Sequence, residues 1–308
     1  MKRSIAGVVL AVAAGWLALA IVTVAADRQQ TMRVRPVRWL LSQVFRIAPG
    51  LKPRAQRAWI RLLYEVINRQ GMAGPVAVMN YGYAPCDDAE RLDLRPDEEV
   101  NRFGYQMYRA VAGAIDLAGK DVIEIGCGRG GGAAFVVETM GPRSLTGVDL
   151  AERAIAQCIE KHRDERLRFV QGDAEDLPAP AASFDAAINI ESSHAYPNVG
   201  CFLVEAHRVL RPGGHLLLAD FRNADEMAGL RDQVATAGFA IIEDERITEE
   251  VVRALGANAR HMQGVVERSA PRLLRPLARE FVAAEGTVFN RGFRSGEIEY
   301  RRFVLRRD

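Results

Sequence analysis

The stretch DVIEIGCGRGGG, residues 121–132, is an apolar run that ends in a bend, and five of the seven positions from 126 to 132 are glycine. A short apolar run bounded by turn residues reads as a buried strand. The residues that follow, AAFVVETM before Gly141 and Pro142, read as a helix with a stop signal. A strand, a bend with few side chains and a helix, in that order, expose backbone that a ligand can touch. Glycine allows the close approach that a Cβ forbids. Gly126, Gly128 and Gly131 satisfy the GxGxxG spacing. Spacing alone does not name the ligand, and a tight structural turn uses the same residues.

The alternation continues to the end of the chain. SLTGVDL, LRFVQGD, FDAAINI, HLLLADF, FAIIEDERI and EIEYRRFVL read as six further strands. AERAIAQCIEKHR, FLVEAHRVL and residues 225–238 read as helices between them. Strands alternating with helices predict a parallel sheet covered on both faces. In such sheets ligands bind beyond the carboxyl ends of the strands, at the point where strand order reverses. Two carboxylates fall at such ends. Asp149 closes the second strand, where it can accept hydrogen bonds from ribose hydroxyls. Asp173 closes the third, where it can take an adenine amino group. Helix or turn capping is the plainer use of either residue.

Five segments taken together, EIGCGRGGG, GVDL, GDAEDLP, FDAAINIESSH and RVLRPGGHLLLADF, resemble the successive motifs of class I S-adenosylmethionine-dependent methyltransferases. Nicotinamide dehydrogenases share the first two but lack RVLRPGG before the fifth strand. The resemblance implies an α/β fold: a seven-stranded Rossmann-like methyltransferase sheet with helices on both faces. It implies S-adenosyl-L-methionine as cofactor. Glu124 would orient the cofactor's methionine end. Gly126, Cys127 and Gly128 would offer close backbone. Asp149 would hold the ribose, with Leu150 against the adenine. Asp173 and Ala174 would read the adenine edge, and Asn189 and Ile190 would line the site beside the sulfonium.

VAVMNYGYAP, NIESSHAYPN and EGTVFNRGFRSGEIEYRRFVL are similar to the phthiotriol/phenolphthiotriol dimycocerosate methyltransferase family, from about Tyr64 to the end of the chain. That resemblance implies O-methylation of a hydroxyl on a lipid or other hydrophobic small molecule. Arg129 stands where the family has His. Sterol and tocopherol C-methyltransferases share the GCGxGG style. A C-methyltransferase acting on a sterol, quinone or tocopherol-like lipid is therefore the alternative. A regulator that binds the cofactor without turnover is a further one.

An alcohol is a weak nucleophile, so a general base that takes its proton is useful. His194, on the loop after the fourth strand, is the candidate, because its ordinary pKa suits transfer near neutrality. Glu191 is the reserve base. Tyr81 and Tyr83 flank Gly82 in a segment suited to fold over a bound ligand, and one of them is expected to cover the methionine end. An insert over about 248–295 reads as two or three helices, with apolar faces from Leu255, Met262, Val266, Leu274, Leu277 and Phe281. It is expected to cap an apolar acceptor pocket within a methyltransferase domain spanning 76–308.

Net charge is +2 over 308 residues, so the chain as a whole points to no particular partner. The distribution says more: between Asp27 and Gln70, ten Lys or Arg face two acids. No module pairs those basic residues with aromatic ones in the manner of an RNA binder, and no nucleic-acid partner is expected. The four cysteines, Cys86, Cys127, Cys158 and Cys201, show no metal-ligand spacing, and they fit reduced thiols. From Ser4 to Ala26 the chain carries no charge. As a helix that stretch spans roughly 33 Å, enough to cross a bilayer core. It predicts an N-terminal transmembrane helix over 1–27, retained rather than cleaved. Basic amphipathic linker helices follow over 28–75. Arg28, Arg33, Arg35, Arg38 and Arg46 outnumber Lys2 and Arg3 before the span, which places the catalytic domain in the cytoplasm of a single-pass membrane protein. A reporter fused to the C-terminus is expected to be active only in the cytoplasm. Activity confined to an extracytoplasmic compartment would refute that orientation.

Overall fold

β1 (Asp121–Ile125) carries side chains alternately to the two faces of a sheet. Val122 joins the core layer on one face, while Ile123 and Ile125 join the layer on the other. In this computed structural model the described residues are 76–269, 272 and 275–308. The expected anchor and linker helices over 1–75 lie outside them, as do Leu274 and the side chain of Leu277. Among the described residues no helix is long and apolar enough to cross a membrane.

The other strands are β2 (Ser144–Asp149), β3 (Leu167–Gln171), β4 (Phe184–Ile190), β5 (Leu210–Asn223), β6 (Phe239–Arg246) and β7 (Ile298–Arg307). They form one seven-stranded sheet in the order β3-β2-β1-β4-β5-β7-β6. β1 pairs in parallel with both β2 and β4, so the strand order reverses between β1 and β4 and opens a crevice at their carboxyl ends. Each face is covered. α1 (Arg102–Ala112), α2 (Gly131–Met140) and α3 (Glu152–Lys161) bury Met107, Val136 and Cys158 against the first layer. α4 (Val199–Val209) and α5 (Ala224–Thr236) bury Phe202, Leu203 and Met227 against the second.

An all-parallel sheet was the expectation, and β7 corrects it. It lies antiparallel to both β5 and β6, wedged between them. The reason is the insert. α6 (Thr248–Ser269) leaves directly from the end of β6, and α8 (Val288–Ser295) ends just before β7, with α7 (Arg275–Phe281) between them. The chain therefore re-enters the sheet from the edge where β5 and β6 finish, and it must run backwards.

The glycines of the bend mostly serve packing. Gly126 has φ +81°, and a Cβ there would lie 2.0 Å from Ser192 Oγ. At Gly132 a Cβ would lie 1.8 Å from Tyr108 Cζ. Removing those side chains lets α1 and the β4 loop press against the start of α2. Gly132→Ala is therefore expected to lower stability by about 1–3 kcal/mol through overpacking, seen as a reduced melting temperature. An unchanged melt would show that Tyr108 moves aside without cost.

Candidate active site

Three backbone amides of the bend are held by β2. Those of Gly126 and Cys127 donate to the Val148 carbonyl at 2.8 and 3.0 Å. That of Gly128 donates to Asp149 Oδ2 at 2.9 Å, while Asp149 Oδ1 accepts from the Ala151 amide at 2.9 Å. Burial raises the Asp149 carboxyl above the usual range, and the amides of Ala151 and Gly128 oppose that shift. Cys158 supports the bend from below, its thiol donating to the Gly128 carbonyl.

Around this clamp lies a cavity of about 100 Å³. Gly126, Cys127 and Gly128 form its floor, with Asp149 and Leu150 at the end of β2. Asp173 and Ala174 enter after β3, and Ile190 and Glu191 at the end of β4. Asp173 Oδ1 accepts from the Glu175 amide at 2.9 Å, a turn bond that fixes its carboxylate. A Cβ on Gly128 would meet only Met79 Cε, at 3.4 Å, so the backbone there is open to the cavity.

Two expected wall residues stand behind the wall instead. Glu124 is 1% exposed and accepts from the Tyr108 hydroxyl, and it is Tyr108 that lines the cavity. Among the described residues its second oxygen has no hydrogen-bond partner, and burial pushes the carboxyl up to about 8. Asn189 is fully buried, and its amide donates to the Ile125 carbonyl and the Tyr196 hydroxyl. Tyr196 in turn shares a 2.7 Å bond with Ser192 Oγ, and those two residues form the wall. Strand alternation explains both shifts. The side chains of Glu124 and Asn189 point into the helix layers, not out of the strand ends.

A second and larger cavity, about 730 Å³, adjoins the first, and Met79, Asn80, Arg129 and Glu191 line both. Phe103, Phe221, Leu255, Met262 and Phe289 give it apolar walls. His194 and Tyr81 belong to this cavity and do not line the first one. Tyr83 lines neither cavity. Its amide donates to the Phe103 carbonyl, and its ring packs against the core beside α6. A lid role for Tyr83 is therefore corrected: the chain direction set by Gly82, at φ +83°, carries it away from the site.

Glu191 sits at the junction with φ +48°, a conformation that costs a non-glycine residue energy and is held only by its surroundings. Oε1 accepts from the Tyr81 amide at 2.7 Å and the Tyr300 hydroxyl at 2.9 Å. Burial pushes this carboxyl up to about 8 as well.

His194 is paired with a residue the sequence reading passed over. Its Nδ1 lies 2.8 Å from Asp220 Oδ1, and Asp220 is 1% exposed. Burial pushes the Asp220 carboxyl up, but the charges of His194 and Arg222 and bonds from His194 and Ser193 outweigh it and hold the group well below the usual range. Asp220 is therefore an ionised acceptor, and Nδ1 carries the proton. In a neutral ring so oriented Nε2 would carry the lone pair; the ring lies tilted against Phe221, centroids 4.4 Å apart, and lines the second cavity. The available signal was positional: Asp220 lies one residue beyond the last β4–β5 pair, Ile190 with Ala219, at the same crevice edge as Asp149.

Bare backbone facing carboxylates at two strand ends, beside an apolar chamber edged by a histidine held on a buried aspartate, matches the design of an S-adenosylmethionine-dependent methyltransferase. Comparisons bear this out. A methyltransferase-domain family model matches residues 123–218. The phthiotriol/phenolphthiotriol dimycocerosates methyltransferase of Mycobacterium tuberculosis is 37% identical over 253 residues, 82% of this chain and 93% of that protein. A fatty-acid O-methyltransferase of Mycolicibacterium smegmatis is 37% identical over 260 residues, 84% of this chain and 94% of that protein. Among solved structures, the [4+2]-cyclase SpnF aligns with a TM-score of 0.62 at 22% identity, covering 81% of this chain and 95% of that one. Geranyl diphosphate C-methyltransferase from Streptomyces coelicolor aligns at 0.60 and 17% identity, covering 82% and 98%. At such identities the structural likeness is one of fold. The chain belongs to the family of the phthiotriol/phenolphthiotriol dimycocerosates methyltransferases and is an S-adenosylmethionine-dependent enzyme.

The buried carboxyl of Glu124 yields a pH test. Its pKa rises from 4.5 when exposed to about 8 in the fold. The folded protein therefore holds a proton that the unfolded chain releases, and stability falls as pH rises across that window. Glu124→Gln removes this dependence. The variant should melt like wild type near the lower limit and above it in mild alkali. An equal difference at every pH would contradict the assignment.

Proposed function

We propose that the enzyme O-methylates a hydroxyl on a lipid or other hydrophobic small molecule, with His194 as general base and Asp220 as its positioning residue. The observation that carries this reading is the 2.8 Å His194–Asp220 bond at the edge of the apolar cavity that adjoins the glycine bend. Two relatives of equal identity support the chemistry. One is named for phthiotriol and phenolphthiotriol dimycocerosates, the other for O-methylation of a fatty acid.

The first cavity fits S-adenosylmethionine. Asp149 would hold the ribose, Asp173 and Ala174 the adenine edge, and Gly126 to Gly128 the close-packed backbone. Tyr108, backed by Glu124, would face the methionine end. The cofactor supplies a methyl group bonded to a positively charged sulfur. An in-line transfer demands that the acceptor oxygen be held about 3 Å from that methyl, so positioning supplies much of the rate. Glu191, locked by the Tyr81 amide and the Tyr300 hydroxyl, fixes the boundary across which the transfer passes. His194 Nε2 would take the acceptor's proton as the oxygen–carbon bond forms and the methyl's bond to sulfur breaks, with the neutral thioether as leaving group. The resulting imidazolium is stabilised by ionised Asp220 through Nδ1. Phe221 and the insert helices exclude water and accommodate an apolar acceptor. The uncharged 4–26 stretch supports retention at a membrane, where a lipid acceptor resides, with the catalytic domain on its cytoplasmic side.

His194→Ala is expected to lower kcat by about 10²–10⁴-fold with cofactor affinity retained. Asp220→Asn should lower kcat too, because the wrong ring nitrogen then carries the proton. Wild-type turnover in His194→Ala with intact cofactor binding would remove this residue from the mechanism. Mass spectrometry of a lipid extract treated with isotopically labelled cofactor should find the label on an ether or ester oxygen. A label on carbon would contradict O-methylation.

A further inference from the structure

The second cavity is lined by two kinds of residue. One is buried or half-buried apolar side chains such as Phe221, Leu255 and Val266. Arg260, Arg272, Arg275 and Arg279 also line it, with Glu267 and Glu285, and all of these but half-buried Arg275 are among its more exposed lining residues. Arg260, Arg272 and Arg279 are exposed.

Among the other described residues many arginines are paired, though exposed Arg109, Arg153, Arg163 and Arg168, scattered over the surface, form no ion pair. Arg143 and Arg211 share Asp121, Arg231 and Arg301 share Asp244, Arg208 holds Glu205, and Arg302 holds Glu243 and Glu245. Among the described residues, Arg260, Arg272 and Arg279 form no ion pair; Arg279 reaches only the Glu285 backbone carbonyl, at 3.4 Å. Beside them Phe281 is 36% exposed, a large aromatic at the end of α7 that also lines the cavity.

We infer that this rim is a docking surface for an anionic bilayer, and that it opens the apolar cavity directly onto the lipid phase. Charge complementarity selects the occupant. Unpaired guanidinium groups gain from anionic headgroups, each contributing attraction that adds along a surface. An exposed aromatic beside them fits the boundary between headgroups and acyl chains. A soluble apolar partner would leave the arginines uncompensated, and a soluble anion would leave Phe281 in water. An acceptor with a long apolar body can then pass from bilayer to cavity without exposing its methylenes to water. The surface is distinct from the apolar stretch at 4–26, and it stands or falls separately from the identity of the acceptor.

Hydrogen exchange of the full chain, read peptide by peptide, tests this without interference from the N-terminus. The probes are vesicles of phosphatidylcholine alone, and vesicles in which about a third of the lipid is phosphatidylglycerol. Backbone amides of 259–268 and 275–281 should exchange about tenfold more slowly with the anionic vesicles only, and raised salt should abolish the effect. The triple variant Arg260→Glu, Arg272→Glu, Arg279→Glu should lose that protection while still binding S-adenosylmethionine, since none of the three lines the first cavity. Should the triple variant fail to fold, Arg279→Gln alone and the salt titration of wild type carry the same test. Equal protection by neutral vesicles, protection reproduced by soluble glycerol phosphate, or protection that survives charge reversal would each overturn the docking surface.

Discussion

The site is organised by the hydrogen bond from the Gly128 amide to Asp149 Oδ2, at 2.9 Å. It ties the bend after β1 to the carboxyl end of β2, next to two further bonds from Gly126 and Cys127 to the Val148 carbonyl. Glycine amides in such a bend would otherwise need water or a ligand to satisfy them. Because β2 satisfies them, the bend keeps one shape. Its neighbours exploit that constancy: Tyr108 packs where a Gly132 side chain would be, and Ser192 where a Gly126 side chain would be. Tyr108 and Ser192 then become walls of the cavity whose floor is the bend.

The carboxyl end of β4 divides the space in two. Glu191 lines both cavities, and its carboxyl and that of Asp220, one strand away, are driven in opposite directions. Burial dominates at Glu191, which is pushed up to about 8. At Asp220 the facing charges of His194 and Arg222 overcome burial, and the group stays ionised. Carboxyls whose environments push their affinities apart divide the labour of a site. Here the ionised one orients a histidine, and the other holds the Tyr81 segment and Tyr300 in place.

Most of the sheet was legible because each strand of a doubly wound fold is a short apolar run ending in turn residues, and all seven expected strands exist. The direction of β7 was not legible, since alternation along one strand carries no record of which neighbours it joins. α1 escaped notice although Met107, Tyr108, Val111 and Ala112 share one face; it has no side-chain cap hydrogen bond at its start, and Gly104 sits in its first turn. At the site, residues at a strand end or one or two steps past it were readable as cavity wall: Gly126, Asp149, Asp173, Ile190 and Glu191 are there. Residues one step before a strand end were not, because a one-residue step turns a side chain to the opposite face. Glu124 and Asn189 are buried for that reason. Asp220 was hidden in LLLADF, where an acid after four apolar residues carries the same signal as Asp149 in GVDL.

Calorimetry with S-adenosylmethionine on wild type and Asp149→Ala, with thermal melts confirming that both are folded, shows whether this clamp builds the cofactor site. The account requires one saturable site in wild type and binding weakened by at least about tenfold in the variant, the scale of a lost hydrogen bond to a charged group. A folded Asp149→Ala that binds the cofactor as tightly as wild type would contradict it.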